Sequence, residues 1–170
     1  MAAFAGWQAF FGVTGAAAAT LTGLLFVVVS FMQGRDASKT ARGVMLFMSP
    51  IVFHLVSVLA ISALALAPGG EGTAILAVMT IWAAFGLAYA TPLAVRLALT
   101  PDASHWSDFW WYGFAPALVF LELTAGAASV WRHWPHAAAA VALGLLALLA
   151  VAIRNAWDLV TWLAPRREGL

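Results

Sequence analysis

Apolar residues fill five long blocks of this chain, and short stretches rich in polar residues and helix breakers separate the blocks. Residues 1–34 carry no charge, and neither do 43–70 or 72–95; 109–131 carry only Glu122, and 137–153 are again uncharged. A helix needs roughly 20 predominantly apolar residues to cross about 30 Å of hydrocarbon. The pattern predicts five such helices, near 7–33, 41–67, 73–97, 108–131 and 136–163. Barrel strands would alternate in short segments, which these runs do not do. In lipid every backbone donor needs an internal partner, so continuous apolar runs are expected to be helices. Gly34, Pro68-Gly69-Gly70, Pro101-Asp102 and Pro135 mark the connections. No linker divides residues 1–170, so one transmembrane domain is expected, an all-α five-helix bundle. Its short links predict that consecutive helices are antiparallel neighbours.

Composition sharpens this picture. The 170 residues are 64% hydrophobic and 9% charged, against roughly 45–50% and 25% in soluble domains. Disorder requires the opposite balance. The absence of Cys excludes a disulfide framework, a Cys-ligated zinc site and an iron–sulfur cluster. A net charge of +1 leaves no basic footprint for nucleic acid.

The few charges are unevenly placed. Arg35, Lys39, Arg42, Arg96, Arg154, Arg166 and Arg167 fall on one side of a five-span topology, and Arg132 falls on the other. The positive-inside rule then places the N-terminus outside and the C-terminus inside. The first run lacks a basic leader region and a small-residue cleavage site, so it is expected to remain a membrane helix. Trp7, Trp131 and Trp134 fall at the outer interface; Trp106, Trp110, Trp111, Tyr112 and Trp162 fall at the inner one, as aromatic belts do. Trp82 and Tyr89 lie deeper.

In lipid, small residues and polar contacts bring helices together. Gly15, Ala19 and Gly23 form a four-residue-spaced stripe on the first helix, and Gly126 with its small neighbours repeats the idea on the fourth. The stripe could meet a helix of the same chain or of a second subunit. Pro50, Pro92 and Pro116 lie inside spans and free the carbonyls of Leu46, Ala88 and Tyr112. All three breaks fall in the inner half of the expected topology.

Ionisable groups within spans are costly and mark candidate sites. His54 and Glu122 both lie about 20 Å from the inner surface, at matched depth, where a carboxylate and an imidazole can pair. Ser57 is one turn from His54, and Thr20 lies mid-way along the first helix. Three readings fit these four residues: a structural hydrogen bond that sets helix register, a proton or cation route, and a catalytic or metal site. Arg154 and Asp158, four apart, predict an interfacial ion pair. His133 and His136 are too few for a zinc site, and one deep His cannot supply a bis-His haem. No phosphate loop, nucleophile elbow or His-Glu-x-x-His helix is present. No catalytic residue, metal or cofactor is therefore expected.

Trp7-x-x-Phe10-Phe11, Ala17-Ala18-Ala19-Thr20-Leu21-Thr22-Gly23-Leu24-Leu25-Phe26, Ser30, Arg42 and Pro68-Gly69 carry a resemblance over residues 7–70. This part of the chain resembles a group of small bacterial integral membrane proteins sometimes labelled modulators of the FtsH protease. The resemblance implies a bacterial cytoplasmic membrane and supplies no catalytic residue. The functional expectation is a small channel or transport-type protein with His54 and Glu122 on a proton or cation route, in contact with the lipid bilayer, its assembly open between a homo-oligomer and a larger membrane complex. The alternative is a non-catalytic accessory or regulatory subunit of a larger membrane complex; an intramembrane enzyme is third.

Overall fold

A computed structural model describes residues 3–32, 37–68, 72–99, 107 and 109–163, with side chains described except at 29, 31–32, 37–47 and 162–163. The helices are α1 (Gln8–Met32), α2 (Ala37–Leu66), α3 (Thr73–Leu99), α4 (Ala115–Trp131) and α5 (Ala137–Leu163). A π-helical segment, Phe109–Phe114, leads directly into α4. No strand occurs among the described residues, and five helices are long and apolar enough to cross a membrane. The chain is an all-α membrane-type bundle. Arg35, Arg166, Arg167, Gly34, Pro101, Asp102, His105, Trp106 and Asp108 lie outside the described residues, as do the side chains of Lys39, Arg42 and Trp162.

Glycines set the closest helix contacts. An added Cβ at Gly86 of α3 would overlap the Phe120 ring of α4, and one at Gly113 would lie 2.8 Å from the Ala94 Cα. As α3 advances from 86 to 94, its partner recedes from 120 to 113, so the two helices run antiparallel. Gly126 meets Ala140 and Val141 of α5, and Gly144 of α5 receives Glu122 and Leu123. Gly15 of α1 meets Ser62 of α2, 3.1 Å from where a Cβ would sit. These notches let backbones approach where lipid offers no hydrophobic drive. Phe11, Ile51, Leu55, Ile61, Met79, Phe120, Leu145 and Leu148 fill the interior, while Val13, Phe26, Ile81, Leu143 and Trp157 face outward.

Adjacency in the chain does not decide how closely two helices pack. The α1–α2, α3–α4 and α4–α5 seams are extensive, but α2 and α3 touch little, and α2 packs more on α5. α2 and α3 are antiparallel neighbours, with Ser57 beside Trp82 and Phe53 beside Tyr89, but their seam is the smallest between consecutive helices. There Phe53 of α2 meets the rings of Trp82, Phe85 and Tyr89 of α3, and bulky rings at a contact hold backbones farther apart than glycines do.

The contact face of α1 also departs from the expected stripe. Phe11, Thr14, Gly15, Ala18 and Leu25 are buried, whereas Ala19 and Gly23 are exposed and a Cβ at Gly23 would meet open space. Positions four apart drift about 40° per step around a helix of 3.6 residues per turn. A strict four-residue stripe thus leaves the seam within two steps, and the seven-residue spacing from Phe11 through Ala18 to Leu25 follows it.

The fourth span is one helix in the sequence pattern but has two windings in the structure. Pro116 has no N–H to offer the turn before it. The Trp111 carbonyl, whose π-register donor would be Pro116, instead accepts from Asn155 Nδ2 at 3.0 Å. At the other end of α4, His133 takes a left-handed conformation (φ 52°). His133 N–H donates to the Val130 carbonyl and Trp134 N–H to the Ser129 carbonyl, a closure usually built on Gly.

Candidate functional site

Two of the three intrahelical prolines line one cavity. It occupies about 250 Å³ between α2, α3 and the π-helical segment, and Pro50, His54, Tyr89, Pro92, Arg96 and Tyr112 line it. It lies toward the end of the bundle that carries the C-terminus. Irregular backbone at membrane depth is tolerated where it lines a cavity or is buried in protein. The third proline, Pro116, follows the π-helical segment whose Tyr112 is a wall residue.

His54 forms the deep end. Its side chain is 1% exposed, and Nδ1 has no hydrogen-bond partner. Its ring lies against Phe120, with centroids 5.8 Å apart. Beside it lies a cluster of rings. Phe53 contacts Tyr89 at 4.6 Å, Phe120 at 5.7 Å, Phe85 at 5.9 Å and Trp82 at 6.3 Å between centroids. Trp82 Nε1 donates to Ser57 Oγ at 3.1 Å, and Ser57 donates to the Phe53 carbonyl at 2.8 Å. The rings and this bond join α2 to α3 beside the cavity.

The four candidates on the proposed route do not converge. Phe120 faces His54, and Glu122, two residues on and about 200° around α4, faces Gly144 of α5. Glu122 Oε2 is buried without a partner, and no bond joins it to His54. Ser57 is held by Phe53 and Trp82. Thr20 is exposed on α1 and donates to its own Ala16 carbonyl. Of the expected packing residues, Gly15 and Gly126 sit at seams, and Ala19 and Gly23 do not. Arg154 and Asp158 form the ion pair expected of them, and the Arg154 guanidinium also lies over the Trp111 ring at 4.9 Å.

Sequence reasoning did not assign Arg96, Tyr89, Tyr112 or Asn155 to a site. Tyr112 donates to the Asn155 carbonyl at 3.3 Å. Together with the bond to Trp111, this ties the π-helical segment to α5. The signal for Asn155 was available: an amide on the buried face of an otherwise apolar helix demands partners. A second groove of about 210 Å³, between α1 and α5, is lined by Leu21, Leu25, Leu55, Ala152 and Trp157 among others. Its described lining holds no ionisable group. No cluster of three or more His, Asp or Glu suited to a metal occurs among the described residues.

No family model matches the chain, and neither a curated protein nor a solved structure matches it.

Proposed function

We propose that this is a transport-type membrane protein that admits its solute or proton from one side into the α2–α3 cavity and holds it at His54. The observation that carries this reading is the convergence of two intrahelical prolines and a π-helical segment on a cavity that ends at a buried, unpartnered imidazole. Transporters commonly place their binding sites where broken helices meet near the midplane. His54 meets Phe120 on one face of α4 and Glu122 meets Gly144 on another, so the two groups act in separate steps of this route. Glu122, held between α4 and α5, is the candidate for a second proton-accepting step.

The setting taken here is the bacterial inner membrane, on the resemblance over residues 7–70 and on the basic asymmetry. With the N-terminus outside, the cavity opens inward. One observation favours the second reading, an accessory subunit: Gly12, Ala16, Ala19, Thr20 and Gly23 are exposed on α1. Small residues on a lipid-facing surface suit close approach by another helix.

Reconstituted vesicles with an internal pH dye test the transport reading. The parent protein should dissipate a pH gradient, and Glu122→Gln, which keeps shape but cannot ionise, should abolish that activity while the fold survives. A silent parent protein, or normal flux in folded Glu122→Gln, would leave the accessory-subunit reading ahead.

A further inference from the structure

The wall of the α2–α3 cavity selects a ligand class, and this inference rests on that cavity being the functional one. Its described lining has no carboxylate to hold a cation. Its one guanidinium, Arg96, is exposed and already engaged, so it supplies no buried counter-charge for an anion. The selecting group is His54, at the deep end. It is 1% exposed and its Nδ1 lacks a partner, and a buried polar atom left unpaired is costly. A neutral imidazole has one donor and one acceptor nitrogen, so a hydroxyl or a carbonyl oxygen on the ligand meets its need. Proline and aliphatic side chains and the rings of Tyr89 and Tyr112 make up the rest of the wall.

Size and access narrow the class further. A cavity of about 150 Å³ accommodates benzene. One of about 250 Å³ therefore admits a single ring with small substituents, and it is too small for the head and two chains of a phospholipid. Tyr89 and Pro92 are exposed and lie within the α3 span rather than beyond its end. The cavity thus reaches the flank of the bundle, which faces lipid in a membrane. A ligand arriving by that path must dissolve in hydrocarbon, where a bare charge is expensive. We infer that the cavity takes a neutral one-ring compound from the bilayer, a phenol or a quinone, whose hydroxyl or carbonyl oxygen hydrogen-bonds His54. Its ring lies beside Tyr89, which is itself packed on Phe53, and aromatic pairs favour such offset or edge-on contacts.

The probes are 4-propylphenol against propylbenzene, duroquinone against durene, and 4-propylbenzoate as the charged control. Each is measured by equilibrium dialysis against the full chain in nanodiscs, with empty nanodiscs as the partition blank. The oxygen-bearing member of at least one pair should bind saturably and about ten-fold more tightly than its hydrocarbon counterpart, which lacks the hydrogen bond. It should also outbind 4-propylbenzoate, whose charge finds no buried partner. A preference for duroquinone identifies a quinone as the source of the ring, and one for 4-propylphenol identifies a phenol. His54→Leu should abolish the preference, and His54→Gln, which keeps a donor and an acceptor, should retain part of it. Leu93→Trp, which fills the cavity from its wall, should abolish saturable binding of every probe. Thermal melting of each variant separates a lost contact from a lost fold, and the parent protein's choice within the two pairs decides where a variant does not fold. Equal binding within both pairs, 4-propylbenzoate binding as tightly as the neutral probes, a preference that survives in folded His54→Leu, unchanged binding in folded Leu93→Trp, or no saturable binding above the blank would overturn the inference. Ring binding without proton flux would end the transport reading and leave the ligand class standing. Proton flux without ring binding would do the reverse.

Discussion

Helix α3 is flanked by two helices and meets them in opposite ways. Toward α4 it offers Gly86 and Ala94, and the Phe120 ring and Gly113 fit directly against its backbone. Toward α2 it offers Trp82, Phe85 and Tyr89, whose rings meet Phe53 beside a Trp82–Ser57 bond. The first seam is closed along its length. The second holds a ring cluster at mid-height and the cavity beside it. In a bundle without a hydrophobic gradient, side-chain size at the contact decides which neighbours join. Large rings hold backbones farther apart than glycines do and leave room for a cavity beside them.

The largest expected effect comes from breaking the closed seam. Gly86→Leu places a branched side chain where the Phe120 ring sits, and should cost about 3 kcal/mol, the upper part of the usual range for overpacking. Denaturant or thermal unfolding in detergent measures this. A loss well under 1 kcal/mol would show that the α3–α4 seam is as yielding as the α2–α3 seam.

Loosening the α2–α3 seam should do less. Trp82→Phe keeps the ring in the cluster and removes the bond to Ser57, at a cost of about 1 kcal/mol. The matching change at Trp157, which is 68% exposed, should leave stability unchanged. Equal effects of the two changes would remove the Trp82–Ser57 bond from the account of the seam.

The smallest effect extends the comparison to α1. Gly23→Leu should change monomer stability by less than about 0.5 kcal/mol, because a Cβ there meets open space. Gly15→Leu, against Ser62, should cost several times more. If Gly23→Leu instead lowers association in detergent without lowering monomer stability, the exposed face of α1 is where another helix docks.

Much of the bundle was legible along the chain because membrane spans are written in local composition. The expected spans of 73–97 and 136–163 compare with Thr73–Leu99 and Ala137–Leu163, and Arg154 and Asp158 pair as four-apart residues on one helix do. The three prolines announced broken backbone in one half of the molecule. The convergence of Pro50, Pro92 and Tyr112 on one cavity was not legible, because they lie on three separate elements. The π-helical winding was equally hidden. Its support comes from Asn155, 44 residues away along the chain, and from the close approach of Ala94 to Gly113.

His54 and Glu122 show where sequence reasoning stops. Depth along each helix is local arithmetic, and the chain alone places both residues near the same level. Contact depends on the rotation of α4, which is set elsewhere: Phe120 enters the notch at Gly86 and turns Glu122 toward Gly144. Helix existence, length and apolarity follow from hydrogen bonds and transfer energies that act within a span, so the sequence by itself determined them. Which faces meet, which rings hold helices apart and where a cavity remains follow from steric fit between distant segments, and only the tertiary structure decided them.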